Sequence, residues 1–204
     1  MMIEPLSIRQ IKTMSALLVA ALALPSCVSL SGKAPTSMLT LSANSTVTAG
    51  ASYTGLAKDA MVVLVPEVPR KLDTNRVPVQ INIGNIAYLK DSVWTDKPAI
   101  LMRQLLAETL AAKNGTLILS EVETAGKAEN YLSGQLVEFG VDESGMEAVA
   151  IFDAVRIRKG QPVEKRRFDA RNDLTKIEPE EVGEALNVVA NKIAEDVATW
   201  LSAP

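Results

Sequence analysis

The spacing of apolar residues switches between two periods along the chain, and the order of those switches restricts the fold more than any single residue does. Ala60 to Pro66 is a continuous apolar run closed by proline, the mark of a buried strand. From Arg76 to Ala87, Val77, Val79, Ile81 and Ile83 alternate with Pro78, Gln80 and Asn82, the period of a half-buried strand. The period then lengthens. Asp96 is placed to cap a helix that has Pro98 in its first turn. Leu101, Leu105 and Ala112, with Met102, Leu106 and Leu110, give that helix an apolar stripe, and Asn114-Gly115 ends it.

Thr116 to Val122 reads as strand again. Three more strands are expected at Tyr131–Val141, Glu147–Arg158 and Val163–Arg171, with turns at Asp142–Gly145 and Lys159–Pro162. A last helix runs from Pro179 to Leu201, its core side marked by Val182, Leu186, Val189, Ile193, Val197 and Trp200. Glu180 and Glu181 suit its positive N-terminal end. The order predicts a single α+β domain. A parallel strand-helix-strand unit leads into an antiparallel meander, in one mixed β-sheet with two long helices packed on it.

Ahead of this domain stands an address. Arg9 and Lys12 precede an uncharged stretch from Thr13 to Ser26, strongly apolar from Ala16 to Leu24. A positive flank and a short apolar run describe a secretory signal peptide, since crossing a bilayer takes about 20 apolar residues. The run ends Leu24-Pro25-Ser26-Cys27, which resembles the bacterial lipobox. That resemblance implies cleavage after Ser26 and lipid attachment at Cys27. Val28 follows the cysteine where an aspartate would imply retention, so by similarity to enterobacterial lipoproteins the destination is the periplasmic face of the outer membrane. The expected organisation is therefore a signal peptide over 1–26, then the lipidated cysteine, polar tether, weak first strand and flexible loop over 27–58. The α+β domain occupies 59–204.

The chain has no histidine and one cysteine among 204 residues. Histidine-based triads, zincin motifs and multi-cysteine zinc sites are thereby excluded. A net charge of -3 gives no pull toward nucleic acid. Glu178, Glu180, Glu181 and Glu184 form a carboxylate cluster, but the preference of acids for a helix start accounts for it without metal or catalysis. No glycine-rich phosphate loop occurs, and no cofactor, metal or catalytic residue is expected.

Two sets of residues could meet partners. Tyr88 and Trp94 flank the entry to the first helix, either as an aromatic contact patch or with Trp94 closing the core. Arg156, Arg158, Lys159, Lys165, Arg166 and Arg167 crowd one expected hairpin, where they could meet anionic headgroups or an acidic partner, or simply solvate an edge.

Along residues 60 to 201 the layout resembles the ABC-type transport auxiliary lipoproteins associated with mammalian-cell-entry (Mce) lipid transport systems. The likeness is carried by Val63–Pro66 and Leu72-Asp73, then by Tyr88 ahead of Trp94-Thr95-Asp96-Lys97-Pro98. It resumes at Ala128–Leu132, Gln135–Phe139 and Thr199-Trp200-Leu201. It implies a non-enzymatic component that docks with an Mce-domain protein and an ABC permease and ATPase to move phospholipid or a related lipid. Direct contact with phospholipid and self-association into a homo-oligomer are further partner readings. The alternative is a stand-alone structural or interaction lipoprotein of the envelope. Replacing Cys27 by Ala is expected to leave an unprocessed or mislocalised chain, seen as a larger band and loss from the membrane fraction.

Overall fold

The computed structural model describes residues 37–203. The expected signal peptide, Cys27 and all but the last residue of the tether lie outside the described residues. The strands are β1 (Ser37–Leu39), β2 (Met61–Val63), β3 (Pro78–Asn82), β4 (Asn85–Tyr88), β5 (Ser92–Trp94), β6 (Asn130–Asp142), β7 (Glu147–Arg158) and β8 (Glu164–Asp173). The helices are α1 (Pro98–Asn114), the one-turn α2 (Glu121–Thr124) and α3 (Pro179–Ser202). A single 3₁₀ turn spans Arg70–Leu72.

The longest strand, β6, organises the sheet. β7 lies antiparallel along it from Asn130↔Arg158 to Asp142↔Glu147. β8 in turn lies antiparallel on β7. The other edge of β6 is shared: β2 pairs in parallel with its start, Met61↔Asn130, and β3 in parallel with its end, Val79↔Val141. β4 folds back on β3, giving the order β4-β3-β6-β7-β8. Gly140 permits the close approach of β3, because a Cβ there would overlap the Pro78 carbonyl. β1 and β5 form a separate parallel pair.

The expected class is the observed one, an α+β domain with a mixed sheet and two long helices. One face of the sheet contributes Leu132, Leu136 and Phe139 from β6, Ala148, Ala150, Phe152 and Ala154 from β7, and Phe168 and Ala170 from β8. They pack with Val182, Leu186, Val189, Ile193 and Val197 of α3 and with Leu101, Leu105, Leu106 and Leu110 of α1. The alternating alanines of β7 give α3 room to lie close.

Local expectations fail in three places. The strand expected over Arg76–Ala87 is two strands, β3 and β4, turning at Ile83-Gly84; Val77 and Val79 are buried, but Ile83 is fully exposed. The strand expected over Thr116–Val122 reduces to a bridge between Ile118 and Met61. From Ser120 the backbone instead enters α2, whose capping box pairs Ser120 with Glu123 in both directions. The parallel return after α1 is consequently made by β6. At the start of α1, Lys97 holds the cap position and Asp96 accepts from the Lys97 amide at 2.7 Å.

Residues 42–58 contain neither strand nor helix, as expected of a loop, yet they are fastened to both long helices. The amides of Ser42, Asn44 and Val47 donate to side chains of Asn187, Asn191 and Glu108 at 2.7–2.8 Å. Asn191 is buried and saturated, since its Nδ2 also donates to the carbonyls of Ser42 and Asn187. Asn191→Ala is expected to cost about 1–3 kcal/mol by stranding buried backbone groups. Urea unfolding would measure the loss, and limited proteolysis would show new cleavage within 42–58.

Candidate functional site

The basic hairpin is sorted by strand alternation into two sets. Arg156 faces Glu164, and Ala154 faces Arg166, on the side of the sheet that carries Phe152 and Phe168. Arg158 falls on the same side. Lys165 and Arg167 point to the opposite face, where Arg167 lies across from Asp153.

The second set converges on one buried acid. Asp153 is only 6% exposed and accepts from Arg167 Nε at 2.6 Å and Nη2 at 2.9 Å, with Lys165 Nζ at 3.3 Å. The Arg167 hydrogen bond holds the Asp153 carboxyl below its ordinary value, against the opposing effect of desolvation, with Lys165 adding to the lowering. This is a structural ion cluster.

The first set is not balanced. Glu164 accepts from Arg158 at 2.8 Å and stands 3.9 Å from Arg156, so two guanidiniums share one carboxylate. The Arg156 side chain is 11% exposed, and neither its Nε nor that of Arg158 has a hydrogen-bond partner. Burial lowers the Arg156 pKa, the nearby Arg158 charge lowers it further, and Glu164 opposes both. Arg166 lies over the Phe168 ring at 5.2 Å, and Phe168 meets Trp200 in the last turn of α3 at 5.7 Å. Lys159 pairs with Glu129 at 2.5 Å. Six basic side chains thus face three carboxylates, Asp153, Glu164 and Glu129, leaving an excess of three positive charges at this end of the sheet. Two of these charges rest on Arg156, Arg158 and Arg166, which have only Glu164 among them, and the third on the Lys165 and Arg167 pair at Asp153.

The aromatic pair does not form one patch. Trp94 is 1% exposed and stacks on Phe139 with centroids 5.4 Å apart, so it belongs to the core and is withdrawn as a surface contact. Tyr88 is half-buried, with the Arg76 guanidinium 4.3 Å over its ring. It borders an open cleft shared with Leu89, Lys90, Glu143, Ile177 and Pro179.

The glutamates at the start of α3 have local tasks. Glu181 accepts from the Thr175 amide at 2.6 Å, which lowers its pKa, and Glu178 pairs with Lys176. Among the described residues no group of acids is arranged to hold a metal. Sequence reasoning missed the β3–β4 turn, because the alternation of Val77, Val79, Ile81 and Ile83 runs through it unbroken. It also missed the shallow groove on the helix-free face lined by Gln80, Glu138, Ile151 and Arg171. The near-continuous apolar run of β7 conceals which of its residues face that side.

The family model described as "ABC-type transport auxiliary lipoprotein component" matches residues 39–198. A crystal structure of an uncharacterised protein is similar at 17% identity, with a TM-score of 0.65 over 81% of this chain and 98% of that one. A protein from Xanthomonas campestris, of family DUF330, is similar at 13% identity, with a TM-score of 0.67 over 80% of this chain and 93% of that one. At such identities the two structures support the fold alone. No curated protein matches the chain by sequence.

The carboxyl shifts resolved at Glu123, Asp142, Asp153 and Glu181 are all downward. Groups with depressed folded pKa values stabilise the protein above their unfolded values, and that contribution disappears as pH falls through the folded ones. Acid unfolding is therefore expected to set in only below about pH 4. Arg167→Gln removes the main cause of the Asp153 depression and should move the acid limb to higher pH. Circular dichroism followed during acid titration of both proteins measures the displacement.

Proposed function

The chain belongs to the family of ABC-type transport auxiliary lipoprotein components, and on that premise we propose that it serves an Mce-type lipid transport system as a periplasmic docking subunit. The family is one of transport auxiliaries and is not a known enzyme family, and its lipoprotein character places its members at a membrane of the envelope. In our reading Cys27 carries the lipid after cleavage behind Ser26, and the anchored membrane is the outer one. The α+β domain stands in the periplasm and meets the Mce-domain protein or the permease and ATPase assembly. Phospholipid or a related lipid is the cargo. The observation that carries this reading is the family match, which spans nearly the whole described domain.

The geometry supports a division of labour between the two ends of the sheet. The Ser37 amide donates to the Asp91 carbonyl at 3.1 Å, and Asp91 shares a cleft with Glu143 of the β6–β7 turn and Pro179 of α3. The lipid-bearing segment therefore joins the domain at the C-terminal end of β6. The unbalanced arginines stand toward its other end, at the level of Gly134, Leu132 and Asn130, about 25–40 Å away. From Cys27 to Ser37 the backbone reaches at most about 35 Å. A domain held this way carries its basic end at the pole remote from its point of attachment. Such an end suits an acidic protein surface better than the headgroups beneath it.

Lys159→Glu with Arg166→Glu, both at exposed positions, reverses charge at that end. Co-isolation of the Mce-domain protein from mild detergent extracts is expected to fall about tenfold or more. Unchanged recovery would assign the hairpin to solvation alone, and absence of Mce, permease and ATPase proteins from the unmutated isolate would overturn the proposal.

A further inference from the structure

The β3–β4 hairpin inverts the usual placement of side chains. From Val77 to Leu89 there is no charged residue, although Arg76 and Lys90 stand on either side. Ile81 and Ile86 are well exposed and Ile83 is fully so. The polar side chains of the tip bond back to the tip itself, at exposed positions. Gln80 Nε2 donates to the carbonyls of Asn82 and Asn85, and Asn82 Oδ1 accepts from the Gly84 amide and from Asn85 Nδ2 at 3.0 Å. The tip satisfies much of its own hydrogen bonding and offers isoleucine outward. An isolated exposed apolar residue is ordinary on a protein surface, but three isoleucines on one uncharged, self-satisfied turn are not. Internal satisfaction of polar groups with apolar side chains outside is what a segment needs to enter an apolar phase.

The position of the hairpin selects the occupant. β3 pairs with the last residues of β6, and the Glu143 amide donates to the Gln80 carbonyl, so the turn projects beyond the C-terminal end of β6. β4 then leads through Leu89 and Lys90 to Asp91, where Ser37 is bound. Between Asn85 and Asp91 a strand covers about 20 Å, well inside the limit of about 35 Å available from Ser37 back to Cys27.

We infer that the β3–β4 hairpin is a membrane-contacting element, its isoleucine tip seated at the headgroup and acyl-chain boundary of the bilayer that holds the lipid anchor. This rests on the proposed attachment at Cys27. Together the acyl anchor and the tip fix the domain at two points and set its orientation, with Arg76 and Lys90 left at headgroup level beside the hairpin's base. A single acyl attachment on a ten-residue tether would leave the domain free to roll.

The test places an environment-sensitive bimane label on the full chain through Ile83→Cys, with Ile86→Cys as a second site and Val163→Cys, exposed on the opposite hairpin, as the control. Each protein is reconstituted into vesicles of phosphatidylethanolamine and phosphatidylglycerol. The expected result is a blue shift at 83 and 86, with quenching by nitroxide-bearing acyl chains, and neither effect at 163. Water-like emission at 83 and 86 overturns the inference. So does a shift that arises only when the co-isolated Mce-domain protein is added, which would make the tip a protein contact. Mass analysis of Cys27 and vesicle flotation report the anchor separately. An acylated, floating chain with an aqueous tip sinks this inference and leaves the anchor standing. A blue shift on added vesicles without acylation does the reverse.

Discussion

The architecture depends on one strand having more length than any neighbour on one of its sides can match. β6 is met by β7 along its whole length, but on its other edge two short parallel segments, β2 and β3, divide the pairing between them. Parallel partners need long crossovers, so the sequence between β3 and β6 must travel over the sheet and return. α1 occupies that return and brings its apolar stripe onto the face that α3 also covers. With both helices committed to one side, the other side is left to solvent, to the charged row of β8 and to the mostly uncharged row of β6. The ends of β6 become the two poles of the domain.

The poles differ chemically for reasons already present in strand geometry. At one end the β7–β8 turn gathers basic residues, and alternation decides which of them find a buried acid. Arg167 finds Asp153; Arg156 and Arg158 must share Glu164. At the other end the β3–β4 turn holds no charge and spends its amides on itself. A uniform reading of the surface as mildly acidic would have hidden both. The absence of histidine adds that no side chain has an ordinary pKa between about 5 and 8.

The two long helices and the β6–β7–β8 meander were legible because each is a sustained period bounded by turn residues. Asp142–Gly145 and Lys159–Pro162 lie where the turns are. The hairpin at Ile83 was not legible, since its alternation continues through the turn and the turn carries only a single glycine. The strand expected near Val122 failed for a reason that was readable: Ser120 and Glu123 stand at capping-box spacing, and a local signal of that kind outweighs a short apolar run. The fastening of residues 42–58 was beyond any local reading. Its acceptors sit on helices roughly 60 to 150 positions away, and only the folded sheet brings them within hydrogen-bond reach. Trp94 was legible as an aromatic at a helix entry; its stacking partner Phe139 supplies the burial that decides its role.

The pairing of β1 with β5 has a mechanical side. Any pull on the N-terminal segment enters the domain at Ser37, and β1 is three residues long, joined in parallel to β5 and seated on α3 by Leu39 where Gly183 leaves space. β6, β7 and β8 are cross-linked over ten residues or more and lie further along the load path. Under tension β1 is therefore the element that yields first. In the anchored chain proposed above, its release would add several residues between anchor and domain before the longer strands carry any load.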